Sequence, residues 1–267
     1  MERLLLPILD QHLPDNDIQH GFRRAHLTTS ALLELNTTIA SGFNQKRFLG
    51  RTLLLQIDLS QAFDQVNHEK LLADLNSSSL PSKVVMWFNC YVKGRQSRTI
   101  FRNFHSSSRN IHTGVPQSAV TSPKLFNFFL YRLPQPLAGV KVMYANDLSV
   151  YAMGPDIQIL GDRVNSYVPT LLQFFKEHDL IVSPEKSTVT LFPPQSNQSR
   201  EHPQILISGT TVSLEKQPRI LGVTHDTMYT FAAHCRNQTV KVRACNNILK
   251  ALTGTEADHY SHILADL

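Results

Sequence analysis

Two aspartates in the sequence stand where carboxylates could work together on a metal ion. Asp58 ends the apolar run that begins at Thr52, and Asp147 follows Tyr144-Ala-Asn near the middle of the chain. Carboxylate oxygens on rigid elements suit Mg²⁺, which often bridges to substrate phosphates. The alternative is that each aspartate only caps a turn, which is the more common role of an aspartate at a strand end.

The strands that must position these aspartates are predicted by the hydrophobic pattern. Residues 52–58 form an apolar run without helical periodicity, typical of a strand buried on both faces. Residues 140–144 and 148–152 are two β-rich runs joined by Ala145-Asn146-Asp147, which predicts a β-hairpin with these three residues at its tip. If adjacent strands of one sheet carry both aspartates, the two carboxylates meet.

The rest of the chain predicts helices and further short strands in one continuous order. Residues 193–200 are predicted to form a surface loop, and the first nine residues begin an amphipathic helix. Strands are expected near 188–192, 204–207 and 220–223, and helices at 31–43, 68–75, 81–94, 122–130, 157–175 and 228–251. This order is mixed α+β with an antiparallel element at its centre.

Composition excludes several classes of protein. No run among the 267 residues approaches the roughly 18 apolar residues of a membrane span. Three cysteines without a C-x-x-C pair argue against a disulfide framework and a zinc site, which favours an intracellular protein and leaves nucleus and cytoplasm open. A net charge of +5 suits a polyanionic partner, although a solvated basic surface is equally common.

Six segments, in chain order, resemble the motifs of one polymerase family. The central three are Asp58-Leu-Ser-Gln-Ala-Phe63-Asp64, Gly114-Val-Pro-Gln117-Ser-Ala-Val-Thr-Ser-Pro123 and Tyr144-Ala-Asn-Asp147. Gln19-His-Gly-Phe-Arg-Arg24 resembles a fingers motif, and residues 180–192 with Ser183-Pro-Glu-Lys186 resemble a fourth palm motif. Ile220-Leu-Gly222-Val, with Thr230-Phe231 and His234, resembles a primer-grip region. Together they resemble the reverse transcriptases of non-LTR retrotransposons, of the jockey-like kind.

This resemblance implies an α+β fold, the right-hand polymerase palm with an antiparallel sheet and packed helices. The palm is expected at residues 51–226, with a fingers-side helical insertion at about 66–112. Residues 1–50 would be partial fingers and residues 227–267 the start of a thumb. An upstream fingers strand and most of the thumb would lie outside the sequence, so we expect poor clamping of a primer.

The resemblance also implies a chemistry for the two aspartates. Asp58 would bridge two Mg²⁺ ions, assisted by the backbone carbonyl of Leu59, and Asp147 would supply the second carboxylate. The ions would activate the 3′ hydroxyl of a DNA primer and stabilise the triphosphate of an incoming dNTP, with RNA as template.

Three further residues would contact the nucleotide if the resemblance holds. The ring of Phe63 would crowd the 2′ carbon of the sugar, Gln117 would touch the incoming nucleotide, and Lys186 would lie near the leaving pyrophosphate. Two alternatives stay open at this point. Phe63 could be a core aromatic residue, and Lys186 could be an ordinary solvated lysine.

Basic residues supply candidate contacts to nucleic acid. Arg23, Arg24 and Gly222 lie in segments that resemble the fingers and the primer grip. Further arginines of the expected fingers side could meet template phosphates or remain plain surface charges: Arg95, Arg98, Arg102 and Arg109.

Two positions depart from the family pattern. Active relatives carry an aspartate where this chain has Asn146, so the site falls from three negative charges to two, which weakens metal binding. That loss would slow the reaction on the order of a hundredfold to ten-thousandfold, while an asparagine suits a hairpin turn. Ser118 replaces a glycine, and its side chain would crowd the nucleotide or strain the backbone.

We therefore expect a reverse transcriptase fragment, an RNA-directed DNA polymerase by ancestry, whose catalysis is impaired by Asn146 and by truncation. One alternative is a pseudoenzyme that binds nucleic acid without catalysis. Another is a decaying gene copy with no selected role. Other domains encoded by the same element are possible partners.

Overall fold

Most helices begin and end close to where the hydrophobic pattern predicts them. The computed structural model describes residues 1–44, 50–135, 140–195 and 203–253. The helices are Glu2–His12 (α1), Thr28–Phe43 (α2), Ala62–Gln65 (α3), His68–Ser77 (α4), Ser82–Val92 (α5), Ser122–Phe129 (α6), Ile157–Glu177 (α7) and Ala232–Thr253 (α8). Local capping explains one start, because the Asn67 side chain accepts hydrogen bonds from the backbone amides of Glu69 and Lys70.

The strands fall into one central sheet and several two-residue ladders. They span Arg51–Leu59 (β1), Gln96–Ser97 (β2), Ile100–Phe101 (β3), Phe104–His105 (β4), Arg109–Asn110 (β5), Val140–Tyr144 (β6), Asp147–Gly154 (β7), Val182–Phe192 (β8), Leu206–Ile207 (β9), Thr210–Thr211 (β10), Ser213–Leu214 (β11), Arg219–Ile220 (β12) and Val223–Thr224 (β13). The central sheet has the order β11-β8-β1-β7-β6. Its strands β1, β6, β7 and β8 pair antiparallel, which confirms the predicted antiparallel centre.

The two faces of the sheet pack against different hydrophobic clusters. Leu53, Leu55 and Ile57 of β1 point into the main hydrophobic core, which also contains apolar residues of α1, α4, α5, α6 and α7. Leu54 points to the other face and packs in a second cluster with Leu35 of α2. Residues of a strand alternate between faces, so the next positions on that second face are Gln56 and Asp58, both only half-buried.

Helix α1 belongs to the same core as the sheet. Leu5, Leu9 and Leu13 are buried in the main cluster. At the start of the helix, the Glu2 carboxylate accepts hydrogen bonds from the backbone amides of Val120 and Thr121, at 2.7 and 3.2 Å.

The division of the chain into fingers, palm and thumb stays a prediction. Within the described residues, no helix combines the length and the apolar character needed to cross a bilayer.

Three sequence predictions need correction in detail. Asp147 is the first residue of β7 and pairs with Tyr144, so the turn of the predicted hairpin is Ala145-Asn146 alone. Residues 220–223 are not one strand but the tight hairpin β12–β13, because Leu221 and Gly222 both take positive φ, +47° and +87°. The final helix begins at residue 232, since the Asp226 side chain holds the preceding residues in a turn.

The region predicted as a helical insertion, at about 66–112, is helical only in its first part. Helices α4 and α5 are followed by a hairpin in which β2 pairs with β5 and β3 pairs with β4. We name residues 95–112 the aromatic hairpin. Its strands have two residues each, which is too short for an alternating pattern to show in the sequence. Of the loop predicted at 193–200, residues 196–200 lie outside the described residues.

Candidate active site

The two aspartates of the sequence motifs meet across neighbouring strands. Strands β1 and β7 pair so that Asp58 lies directly opposite Asp147. Such residues have Cβ atoms about 4.5–5.5 Å apart. Both line a pocket of about 260 Å³, bounded by the open face of the sheet, by α2 and by the β12–β13 hairpin. The predicted meeting of the two carboxylates is therefore observed.

The electrostatics of this pair favour a bound cation. As a residue Asp147 is exposed, but it lines the pocket, and the partial loss of hydration there raises the pKa of its carboxyl group. The negative charge of Asp58 raises that pKa further. Like charges directly opposite each other destabilise a sheet. A cation bound between them would remove this cost, so the pair could supply two carboxylate ligands to a metal ion.

Two basic residues share the pocket with the aspartates. Lys186 of β8 is exposed and lines it, and so does Arg219 of β12. Lys186 was predicted to act on a pyrophosphate, whereas nothing in the sequence pattern singled out Arg219. The pocket thus combines a negative floor with positive side chains, an arrangement that suits an anion held through a metal ion.

The turn beside Asp147 is held by an amide side chain from the start of the chain. Gln19 is 1% exposed. Its Nε2 donates to the carbonyl of Ala145 at 3.0 Å, and its Oε1 accepts from the backbone amides of Ala145 and Gly21, at 2.8 and 2.7 Å. Ala145 has φ of +57°, a conformation that non-glycine residues seldom adopt. We call this arrangement the Gln19 clamp.

The backbone around the Gln19 clamp explains the Gln-x-Gly spacing. The amide of His20 donates to the carbonyl of Met143 at 2.7 Å, and the amide of Met143 donates to the carbonyl of Ile18 at 2.8 Å, which adds this segment to the edge of β6. A Cβ atom on Gly21 would lie 2.4 Å from the nitrogen of Ala145. Only glycine fits such an approach. The sequence motif was interpreted as fingers, and its contact with the hairpin turn was missed.

Of the three residues predicted to contact the nucleotide, Lys186 lines the pocket, whereas Phe63 and Gln117 are not among its lining residues. Phe63 of α3 is half-buried, and its ring stacks on that of Phe126 with centroids 4.2 Å apart. Gln117 donates from Nε2 to both carboxylate oxygens of Asp64, at 2.8 and 3.1 Å. The roles of Phe63 and Gln117 toward a nucleotide stay predictions.

Ser118 occupies a backbone conformation that suits glycine. Its φ is +63°, in the left-handed region that costs a residue with a Cβ atom roughly 1–2 kcal/mol. The expected strain of the backbone at this departure from the family pattern is therefore present. Gly114, four residues earlier, has φ of +87°, and a Cβ there would lie 2.9 Å from the Asp64 backbone.

The predicted nucleic-acid contacts differ in availability. The Arg23 guanidinium donates to the carbonyl of Asn16 at 3.1 Å and pairs with Asp17 at 3.5 Å. Arg24 and Gly222 are exposed. None of these three residues lines the pocket, and their contacts with nucleic acid stay predictions.

A third carboxylate, that of Glu215, also lines the pocket, but it does not complete a metal-binding group with the two aspartates among the described residues. Across the described residues, no group of three or more His, Cys, Asp and Glu side chains is placed to hold a metal ion. Half-buried Asn146 stands in the turn directly before Asp147. Its amide oxygen is a neutral oxygen donor at that place.

Comparison with known families decides the ancestry of this site. The family model described as "Reverse transcriptase (RNA-dependent DNA polymerase)" matches residues 1–225. The chain belongs to the reverse transcriptase family. In this reverse transcriptase, Asp58 and Asp147 are paired across β1 and β7, and their roles toward a metal ion stay predictions.

Relatives of this reverse transcriptase come from mobile elements of flies. It is 28% identical over 235 residues to the probable RNA-directed DNA polymerase from transposon BS of Drosophila melanogaster, an alignment that covers 85% of this chain and 25% of the relative. It is 27% identical to the RNA-directed DNA polymerase from mobile element jockey of Drosophila funebris, covering 81% and 24%. The chain therefore spans about a quarter of the length of these relatives, and the predicted non-LTR, jockey-like ancestry is confirmed.

Solved structures support the fold of this reverse transcriptase. Apo telomerase from Candida tropicalis aligns with a TM-score of 0.56 at 8% identity, covering 85% of this chain and 39% of the telomerase. A second structure of that telomerase, solved in complex with a TWJ fragment of telomeric RNA, aligns with a TM-score of 0.52 at 10% identity, covering 85% and 36%. At such identities the likeness concerns the fold alone, and it agrees with the predicted α+β polymerase palm.

Proposed function

We propose that this reverse transcriptase domain catalyses RNA-directed DNA synthesis slowly, because Asn146 replaces a metal-binding carboxylate. One observation carries the proposal. Asp58 and Asp147 face each other in register on the open face of the sheet, while the neighbouring turn offers only an amide. The β6–β7 hairpin is therefore formed at the turn where Asn146 supplies no negative charge.

The side chains of the site fit divalent cations in type but not in full number. Enzymes of this family generally use divalent metals. Two opposed carboxylates provide the hard oxygen donors that Mg²⁺ prefers, with Asp58, the Leu59 carbonyl and Asp147 as the proposed holders. When bound, Mg²⁺ supplies charge neutralisation for in-line displacement at a phosphate. With one carboxylate fewer, we expect the two Mg²⁺ ions to bind weakly.

The other residues of the site would orient the substrates. Lys186 and Arg219 would place positive charge beside the triphosphate of a dNTP. Phe63 would limit space at the sugar 2′ position, a role supported by the stacking that fixes its ring on Phe126. Gln117 would contact the nucleotide, and the carboxylate of Asp64 holds its amide group.

The proposed substrates are an RNA template, a DNA primer and dNTPs. The names of the fly relatives support this assignment. The net charge of +5 also favours a polyanionic partner. Since the chain spans only about a quarter of these relatives, further domains encoded by the same element are proposed as partners.

A second candidate function is binding of nucleic acid without catalysis. The neutral Asn146 favours it, because a site with two carboxylates has less negative charge to hold two divalent ions. Under this alternative, binding falls with salt concentration, needs no Mg²⁺ and is unaffected by the change Asp58→Ala.

Primer extension on an RNA template with Mg²⁺ tests the proposal. We expect Asn146→Asp to raise the rate on the order of a hundredfold to ten-thousandfold, and Asp58→Ala to abolish the gain. Asn237→Asp, which adds the same charge on the exposed face of α8, is the matched control and should leave the rate unchanged.

Two other results would change the conclusion. If the unaltered chain extends primers as fast as Asn146→Asp, the proposed impairment is wrong. If no variant extends a primer while the unaltered chain still binds RNA in a salt-dependent manner, binding without catalysis becomes the better account.

A further inference from the structure

The aromatic hairpin combines exposed rings with an unbalanced charge. Residues 96–110 are all exposed. Phe101 and Phe104 lie directly opposite each other where β3 pairs with β4, and they are 68% and 78% exposed. Ile100 beside them is 57% exposed. None of the three contributes to either hydrophobic cluster of the protein. Large apolar groups that a fold leaves uncovered in this way mark a binding surface.

The formal net charge of the whole protein is located around this hairpin. Residues 93–112 contain five Lys or Arg and no Asp or Glu. Of the 26 Lys and Arg residues in the chain, 21 therefore lie elsewhere, and they are balanced by all 21 Asp and Glu residues. No acidic residue occurs anywhere between Asp74 and Asp147. The hairpin is thus a concentrated positive arm on a body that is neutral overall.

The cations of the hairpin are available to a partner. Arg98, Arg102 and Arg109 are exposed, and within the described part of the chain none of them forms an ion pair. Arg102 takes a positive φ of +53° in the turn, and its guanidinium lies 5.5 Å from the centre of the Phe101 ring. A planar cation beside an aromatic ring gives a mixed surface for stacking.

We propose that the aromatic hairpin is a binding platform for single-stranded nucleic acid, separate from the aspartate pocket. Phe101 and Phe104 stack on unpaired bases, while the surrounding arginines contact phosphates. This combination of a positive track with aromatic side chains is how proteins hold single strands without reading their sequence. A duplex does not fit as well, because its bases are already stacked and only its phosphates would be reached.

The positive charge of the hairpin, taken together with its rings, favours single-stranded nucleic acid over two other kinds of partner. A purely apolar protein surface would use the rings but would leave five cations unpaired, and an anionic lipid surface would use the cations without needing two opposed rings. The identity of the partner rests on the proposed function in nucleic-acid chemistry. Its test is a binding measurement without Mg²⁺, so it does not depend on catalysis.

The test is fluorescence anisotropy of the full chain with a labelled single-stranded RNA and with the same RNA as a duplex. We expect the double variant Phe101→Ala/Phe104→Ala to bind the single strand at least about tenfold more weakly, since stacking on one aromatic ring strengthens binding by roughly 5- to 150-fold. Duplex binding should change less than threefold. The matched control Met86→Ala/Ile159→Ala removes two apolar groups that are 63% and 49% exposed elsewhere and should leave both affinities unchanged.

A second pair of variants separates stacking from apolar contact. Phe101→Tyr/Phe104→Tyr keeps the rings and should retain binding, whereas Phe101→Leu/Phe104→Leu keeps apolar groups and should lose it. Thermal unfolding of all variants checks the fold, and it should not move because these rings lie outside the core. The inference is overturned if the alanine variant binds RNA like the unaltered chain, if leucine restores binding fully, or if the hairpin affects anionic vesicles and not RNA.

Failure of this inference and failure of the proposed function give different results. Absent primer extension together with ring-dependent binding of single strands removes the polymerase proposal alone. Primer extension that rises in Asn146→Asp, together with binding that ignores the rings, removes the platform alone.

Discussion

Neighbouring residues of β1 experience opposite environments on the two faces of one strand. Leu53, Leu55 and Ile57 are buried in the main core, whereas Gln56 and Asp58 face the pocket. Strand β7 follows the same division, with Leu148, Val150 and Ala152 in the core and Asp147 and Ser149 in the pocket. A slip of one residue would exchange the two sets, so burial of the apolar face fixes the register. That register is what places Asp58 opposite Asp147.

The largest effect is expected on the apolar face. Leu55→Ala creates a cavity in a core position that is 0% exposed, and we expect it to lower the free energy of unfolding by about 2–5 kcal/mol. Gln56→Ala, one residue along the strand and facing the pocket, should cost less than about 1 kcal/mol. Urea denaturation measures both values. Equal losses for the two variants would show that the faces do not differ as described.

A smaller effect is expected where the polar face ends, at the Gln19 clamp. Gln19→Ala leaves the backbone amides of Ala145 and Gly21 without their acceptor, at a cost of about 1–3 kcal/mol. The free energy of local opening at residues 144–147 should fall by the same amount, so amide hydrogen exchange there should become faster. Gln173→Ala removes an exposed glutamine whose side chain donates a hydrogen bond to Glu177 on the surface of α7, and it is the matched control. Unchanged exchange in Gln19→Ala would contradict the clamp.

The smallest effect concerns the charge of Asp147. Its pKa is raised in the folded protein, so the folded state binds the proton more tightly than the unfolded chain, whose pKa is 3.8. The ionised carboxylate therefore lowers stability at neutral pH, and this penalty disappears as the pH falls below 3.8. We expect Asp147→Asn to raise the unfolding temperature slightly at pH 7, with no such gain near pH 3.

The control for this last prediction is Asp162→Asn on the exposed face of α7. It removes one negative charge without removing an opposed pair. A rise in unfolding temperature that is equal for both variants would mean that general charge balance, and not the proximity of Asp58, governs the effect.

The sequence predicted the elements whose burial imposes a pattern on the residues. Strand β1 and the hairpin β6–β7 follow from apolar runs, and the meeting of Asp58 and Asp147 follows from their strands being adjacent. The two-residue strands of the aromatic hairpin carry no period to detect. The β12–β13 hairpin was missed because Leu221 takes positive φ, and a leucine in a sequence does not indicate that conformation.

The parts of the site that escaped prediction depend on contacts between distant segments. Gln19 and Ala145 are 126 residues apart, and no local propensity connects them. Arg219 enters the pocket only because the β12–β13 hairpin packs over the sheet. The family resemblance assigned roles to motifs one by one, whereas the structure shows that one motif holds another.

The Gln19 clamp has a consequence for how this chain can change over generations. It grips the turn through main-chain atoms of Ala145, and none of its hydrogen bonds involves the side chain of residue 146. The hydrogen bonds of the clamp can therefore form with either aspartate or asparagine at that position, and cellular quality control, which removes unstable chains, does not detect a difference at the clamp. Selection on folding alone therefore does not act on the Gln19 clamp through the side chain of residue 146.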